Sequence, residues 1–331
     1  MIFKAAKKLY KFGLDSDSIN TNQIIHLSDT ENLKMQKSIL ILGSTGVLGR
    51  KTVQNLLHEA AKGYNFSLIL INRRHYDFDT VKKADDSIID VRLIDTNIFF
   101  SSNNVKSILN RYSCSCKIDG DLNNINLYEI IQSDSKTWVE ILKIWKLKKT
   151  TTTYNFIDML PDPTTLTTIV SCLGVTKKQA LNENISQRDI DYQLNYDIIL
   201  NISHERVKII LITTFNSFLL KNLFSFFNNK WKLEVDIEKN SNFRELIIIR
   251  PGPFIFHASY SDIFKYNTRD YRAMASQLIA WNVYQTYLSK FFGYSVKVTD
   301  IANTLTKHII KVNPTDTSRV IFVKSKSISK N

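Results

Sequence analysis

Short apolar runs recur along this chain, and the stretches between them carry apolar residues at helical spacing. Residues 38–42 (SILIL), 66–71 (FSLILI), 127–131 (LYEII), 168–173 (TIVSCL), 207–212 (VKIILI), 245–249 (ELIII) and 320–323 (VIFV) read as strands. Between them, residues 47–61 place Val53, Leu56, Leu57 and Ala60 on one helical face. Residues 137–147 do the same with Trp138, Ile141, Leu142 and Trp145, and residues 190–202 form a further helix. Strands separated by helices imply parallel pairing with helices on both faces. Runs such as IILI and LIII do not alternate, as expected of strands covered on both sides. The pattern predicts an α/β fold: a doubly wound, mostly parallel sheet in one domain over residues 37–325.

Residues 75–126 break the rhythm. They are rich in Asp, Asn and Ser, with short apolar pieces such as VRLID and NIFF. A compact domain seldom carries so long a loop, so this stretch reads as an insertion between the second and third strands, partly disordered. KLKKTTTTYN, at 146–155, reads as a polar linker, and 326–331 as a basic tail.

Charge narrows the partners. Lys and Arg number 44 against 31 Asp and Glu, a formal net charge of +13. That permits an acidic partner without choosing among nucleic acid, membrane surface and phosphorylated ligand. The lysines are spread along the chain with no aromatic–basic RNA module, so no nucleic acid is expected. Their densest cluster is N-terminal. In MIFKAAKKLYKFGL, Ile2, Ala5, Ala6, Leu9 and Phe12 share one helical side, and Lys4, Lys7, Lys8 and Lys11 take much of the other. Residues 1–36 therefore read as a basic amphipathic extension, with an anionic membrane surface as its expected partner. A mitochondrial presequence and a solvated helix are the other readings. No apolar stretch is long enough to predict a transmembrane helix. The chain has 3 cysteines, too few for a disulfide framework. Cys114 and Cys116 form a lone C-x-C without further ligands nearby, and no metal site is expected.

The chemistry concentrates after the first strand. Gly43-Ser44-Thr45-Gly46-Val47-Leu48-Gly49 is a glycine turn with a strand before it and a helix after it. Glycines let backbone turn tightly and approach a pyrophosphate, and the N–H groups of the helix start receive its charge. The second strand ends Ile71-Asn72-Arg73-Arg74. An acid there would hold a free ribose 2′-hydroxyl; guanidinium pairs instead with phosphate. The expected ligand is NADP(H), with Arg73 or Arg74 on the 2′-phosphate.

Taken with Arg250-Pro251-Gly252-Pro253, this turn and the paired arginines resemble the atypical short-chain dehydrogenase/reductases. Among these the chain resembles the fungal family named for being found in the mitochondrial proteome, member fifty-two. Asp134-Ser135-Lys136-Thr137-Trp138, Ser171-Cys172-Leu173-Gly174-Val175-Thr176, Asp191-Tyr192-Gln193-Leu194-Asn195 and Phe292-Gly293-Tyr294 fall in that family's order. The likeness covers about residues 37–325 without 75–126. It implies a Rossmann-like NAD(P)-binding fold and a peripheral, cytosol-facing place on the mitochondrial outer membrane. It also implies that Cys172 and Pro251 line the cofactor.

Such enzymes use Ser, Tyr and Lys: a hydroxyl to position the substrate oxygen, a tyrosine to move its proton, and a lysine to tune the tyrosine and hold ribose. Here Thr214 or Thr213 offers the hydroxyl. In SFFNNKWKLE, taking Lys232 as the family lysine, on both ribose and tyrosine, puts Asn228 where tyrosine belongs. Taking Lys230 puts Phe226 there. Asparagine hydrogen-bonds without exchanging a proton near neutrality, and phenylalanine does neither. Tyr154, Tyr260, Tyr266, His204 and His257 are the other acid–base candidates. Two readings follow: an NADP-dependent oxidoreductase with a degenerate Ser-Tyr-Lys site, or a non-catalytic cofactor-binding scaffold on the mitochondrial surface.

Overall fold

The computed structural model describes residues 37–78, 88–100, 105–118, 121–147, 157–175, 177–182, 184–215, 222, 224–255, 278, 294–311 and 319–328. Lys37–Asn331 is one unit and Met1–Gln36 another, the latter wholly outside the described residues. Tyr154, His257, Tyr260, Tyr266, Phe292 and the tail beyond Ile328 also lie outside them.

The elements run β1 (Lys37–Leu42), α1 (Val47–Ala61), β2 (Phe66–Asn72), β3 (Ile88–Phe100), β4 (Lys106–Ile118), β5 (Asp121–Ile131) and α2 (Lys136–Leu147). Then come β6 (Leu166–Ser171), α3 (Lys177–Asn182), a π-helical turn (Asp189–Leu194) continuous with α4 (Asn195–Ile202), β7 (Lys208–Ile212), α5 (Ser225–Asn240) and β8 (Glu245–Arg250). The chain closes with β9 (Phe254–Ile255), β10 (Val296–Lys297), α6 (Val298–Ile310), β11 (Arg319–Lys324) and α7 (Ser325–Ile328). Among the described residues the main sheet has nine strands in the order β11-β8-β7-β6-β1-β2-β5-β4-β3, and β9 and β10 pair separately.

From β11 to β5 every neighbouring pair is parallel. Because side chains alternate along a strand, each parallel strand feeds two cores. Ile39, Ile41, Leu68, Leu70, Ile210, Ile247 and Ile249 pack on one face with Val53, Leu56 and Leu57 of α1 and Ile301 and Leu305 of α6. Leu40, Leu42, Ile69, Ile71, Ile209, Leu211, Leu246 and Ile248 pack on the other with Trp138, Ile141 and Trp145 of α2, Ile198 and Ile199 of α4, and Leu233 and Ile237 of α5. Burial on both faces is why these strands read as unbroken apolar runs. The doubly wound, mostly parallel α/β architecture expected from the sequence is the one observed.

The stretch 75–126 departs from its reading as a partly disordered insertion. Within it lie β3, β4 and most of β5, which form an antiparallel meander extending the sheet beyond β2. These strands bury little of their outer positions. Leu93 and Ile98 of β3 are exposed, whereas Tyr112 and Cys114 of β4 and Ile125 of β5 are buried. An antiparallel edge can leave one side in water, so Asp, Asn, Ser and Lys fill that side and give strand sequence the composition of a loop. Cys114 and Cys116 belong to this core, and burial pushes the Cys116 thiol up to about 11 and that of Cys114 further.

Candidate functional site

The first strand of the described residues, β1, lies inside the sheet. β1 sits between β2 and β6; from β6 the strands β7 and β8 follow outward in chain order, while on the other side β2 is followed by β5, β4 and β3. Such a reversal opens a crevice at the carboxyl ends of the central strands. Three loops meet there: the glycine turn after β1, the Arg73–Phe78 loop after β2, and Cys172–Val175 after β6.

Backbone geometry explains the glycines. Gly43 has φ +77°, where a side chain is strained, and a Cβ on it would lie 3.1 Å from the carbonyl of Cys172. A Cβ on Gly49 would lie 2.2 Å from the Gly43 oxygen, so the first turn of α1 can close on the loop only with glycine there. The Cys172 N–H donates to the Leu42 oxygen at 3.0 Å and joins the β6 loop to the foot of the turn. The start of α1 is left open. Gly46 caps it without a side-chain hydrogen bond, and its first turn holds no acid. Gly46 and Val47 are exposed, Thr45 half-buried, and Leu48 and Ser44 buried. Free N–H groups at such an end receive anions.

Ser44 faces inward. Its hydroxyl donates to Asn72 Oδ1 at 2.6 Å, and Asn72 Nδ2 reaches Glu129 Oε1 at 3.3 Å. Arg73 is half-buried and Arg74 exposed, both directly beyond this contact.

At the far side of the crevice the structure revises the lysine. Lys230, Leu233, Glu234 and Ile237 form the buried face of α5. Lys232 stands on the opposite face, exposed, with its ammonium 5.1 Å from the Tyr192 ring centre. Helical periodicity forces this, since residues two apart point away from each other. Lys230 is the lysine at the crevice. Its Nζ donates to the Leu173 oxygen at 2.9 Å and lies 3.3 Å from Asp191 Oδ1. Asp191 also accepts from the Val175 N–H at 3.2 Å, and burial raises its carboxyl above the usual range against the pull of Lys230. Gly174 is exposed, and a Cβ on it would lie 3.7 Å from Lys230 Nζ. The same lysine opposes the burial that pushes the half-buried Cys172 thiol up to about 12.

With Lys230 as the reference, Phe226 occupies the tyrosine register. It packs edge-on to Phe227, which also meets Phe215 and Phe224. Asn228 is exposed. Of the two threonines, Thr213 is committed elsewhere: its hydroxyl donates to Glu234 Oε1 at 2.5 Å, and Arg250 clamps the same carboxylate at 2.6 Å. Thr214 is half-buried, with its side chain outside that network. Pro251 is buried, and its carbonyl accepts from the Phe215 N–H at 2.9 Å. The R-P-G-P motif thus begins with a structural arginine. Asp134 is structural too, receiving the Lys136 N–H at 3.0 Å at the start of α2. His204 precedes β7, at the sheet end opposite the crevice, where burial lowers its pKa. Glu129 and Asp191 were missed as site residues; a single buried acid inside an apolar strand or helix was the available signal.

A family model described as HIM1 matches residues 127–285. Protein HIM1 of Saccharomyces cerevisiae is 23% identical over 222 residues, 54% of this chain and 53% of that protein. The chain therefore spans about half the length of the curated relative it matches. The matched family bears a different name from the fungal family that the motifs resemble. Solved structures with a similar course include a monomeric L-threonine 3-dehydrogenase of metagenomic origin, with TM-score 0.40, 9% identity and 88% of this chain against 80% of that one. L-threonine 3-dehydrogenase of Trypanosoma brucei has TM-score 0.40 and 12% identity over 87% and 77% of the two chains. A nucleoside-diphosphate-sugar epimerase of Agrobacterium tumefaciens has 0.37 and 12% over 89% and 84%.

Proposed function

We propose that this chain binds NADP(H) and lacks the tyrosine relay of short-chain dehydrogenases, so that it acts as a cofactor-binding protein on the mitochondrial surface. The observation that carries the reading is the open N-terminus of α1 above the Gly43–Gly49 turn, beside Arg73 and Arg74. The residues fit the group. No acid stands in the first turn of α1 to repel a pyrophosphate, and no side chain occupies its capping position. Gly43, Ser44, Thr45, Gly46, Val47, Leu48 and Gly49 would hold the pyrophosphate through backbone N–H groups. Arg73 or Arg74 would take the 2′-phosphate, and Cys172 and Pro251 would floor the nicotinamide side. Lys230, under Gly174, would meet the ribose in place of Lys232.

When bound, the cofactor supplies or accepts a hydride. The chain's own residues supply little of the proton transfer that must accompany it. Phe226 cannot donate a proton, and Thr213 is spent on Glu234. An oxidoreductase reading draws support from Lys230 and Thr214, which keep a cation and a hydroxyl near the crevice.

The basic segment within residues 1–36 supports peripheral attachment to an anionic bilayer. Among the described residues no helix is long and apolar enough to cross a membrane. Fractionation of mitochondria with alkaline carbonate extraction tests this placement: recovery of the chain in the carbonate-soluble fraction of outer membranes is expected, and its absence from mitochondria overturns it.

Calorimetric titration with NADPH and NADH tests the ligand. Binding of NADPH at least about tenfold tighter than NADH, roughly 1.4 kcal/mol, is expected. Failure to bind either rejects the cofactor reading.

A further inference from the structure

One carboxylate holds the arginine loop and the glycine turn together, and it belongs to neither. Glu129 lies on β5 and is wholly buried. Its Oε1 accepts from the Tyr76 N–H at 2.5 Å and the Asn72 amide at 3.3 Å. Its Oε2 accepts from the Tyr112 hydroxyl at 3.1 Å and lies 2.8 Å from His75 Nδ1. Asn72 in turn receives the Ser44 hydroxyl at 2.6 Å. A carboxylate taken out of water is costly unless donors surround it, and this one has them from two separate segments, residues 72–76 and Tyr112 of β4.

Those donors bracket the arginines. Asn72 precedes Arg73; His75 and Tyr76 follow Arg74. Tyr76 is itself fixed, with its hydroxyl donating to the Arg50 oxygen at 3.3 Å and its ring 4.7 Å from that of Phe78. Holding both ends of a two-residue span removes most of the conformational freedom that an exposed loop would otherwise have to surrender on binding. Glu129 is poorly placed to take a ribose hydroxyl itself, because its oxygens face inward onto donors and its side chain has no solvent exposure.

We propose that Glu129 is a positioning residue for ligand selection: by tying the Arg73–Tyr76 loop to the glycine turn, it sets the preference for an adenosine whose ribose carries a 2′-phosphate. This rests on the NADP(H) reading and adds to it the residue that enforces the choice without touching the ligand.

The test uses the full chain and two probes that differ only in the phosphate of interest, adenosine 2′,5′-bisphosphate and adenosine 5′-phosphate, titrated by calorimetry. Wild type is expected to prefer the bisphosphate by about tenfold or more. Glu129→Gln is expected to hold the 5′-phosphate within about twofold of wild type and to lose most of the preference. His75→Ala, at an exposed ring, is expected to lose part of it. Equal weakening toward both probes would make Glu129 a general support of the site and overturn the proposal, as would an unchanged ratio. Should Glu129→Gln not fold by near-ultraviolet circular dichroism, His75→Ala decides: a reduced ratio supports the proposal and an unchanged one rejects it. If wild type binds neither probe, the failure lies with the cofactor reading itself.

Discussion

Lys230 Nζ stands 3.3 Å from Asp191 Oδ1, with side-chain exposures of 5% and 0%. A buried pair of this kind contributes little relative to an apolar pair, yet losing one partner strands the other charge. Lys230→Met and Asp191→Asn are each expected to destabilise the chain by about 3 kcal/mol. The double variant should cost well under the sum, since neither charge is then left alone. Urea unfolding of the four proteins of the cycle measures this; strict additivity would mean that the two groups do not interact.

Gly49 and Gly63 offer a contrast between crowding and backbone strain. A Cβ at position 49 meets the Gly43 oxygen at 2.2 Å, whereas at 63 it meets nothing within 4 Å and only the φ of +96° resists it. Gly63→Ala should cost about 1 kcal/mol, leaving nucleotide binding intact. Gly49→Ala should cost about 2 kcal/mol or more and weaken NADPH binding, because the turn must move away from α1. Thermal unfolding and calorimetry on both variants would check the ordering, and equal effects on binding would contradict it.

The parallel part of this fold was legible because each of its strands is buried on both faces and so appears as an unbroken apolar run. Ile69 and Leu70 point opposite ways into equally apolar surroundings. The meander was illegible for the converse reason: Arg111, Ser113 and Ser115 alternate in strand β4 with the buried Tyr112, Cys114 and Cys116, and nothing in a one-sided antiparallel strand forbids them. The glycine turn could be read because its chemistry is local. The lysine could not, since Lys230 and Lys232 have the same side chain, and only the buried face of α5, set by Leu233 and Ile237, chooses between them. Glu129 depended on a meeting of β2, β4 and β5 that no local pattern announces.

Lys208 makes stability depend on alkaline pH. At the end of the sheet remote from the crevice, its buried ammonium donates to the His308 and Lys311 carbonyls at 2.6 and 2.5 Å and lies 3.7 Å from Glu245. Burial lowers its pKa from 10.5 to about 8 against the opposing pull of Glu245. Below about pH 8 the folded chain bears the full cost of keeping the group charged. Between 8 and 10.5 the unfolded chain binds the extra proton, so this group's contribution to stability rises with pH. The thiols act oppositely above pH 9, since the buried Cys116 and the half-buried Cys172 hold their protons to about 11 and 12 when folded. The difference between wild type and Lys208→Met isolates the lysine. Wild type should gain on the variant by roughly 2–3 kcal/mol from pH 8 to 10, measured by urea unfolding at each pH. A flat difference would show that Lys208 is neutral, or charged, in both states.

The last expectation concerns the missing acid. If α5 presents Lys230 to the crevice, the residue one turn earlier on the same face is Phe226, not Asn228. Residues four apart share a helical face, so a tyrosine at 226 would stand beside the Lys230 ammonium. A cation close to a phenol favours the phenolate and draws its pKa toward working pH. Phe226→Tyr adds one hydroxyl to a ring already seated against Phe227, so the fold should tolerate it. Asn228→Tyr places its ring on the exposed side of the helix and should do nothing. NADPH oxidation followed at 340 nm with a panel of aldehydes and ketones would separate the two variants. Phe226→Tyr is expected to raise turnover over wild type by about 10²-fold for at least one carbonyl, the usual scale of general acid catalysis, while Asn228→Tyr stays at the wild-type level. The reverse outcome would return the catalytic register to Lys232. Activity in neither variant, with NADPH still bound, would mean that the hydroxyl and substrate subsites are absent along with the tyrosine, leaving the chain as a cofactor-binding protein alone.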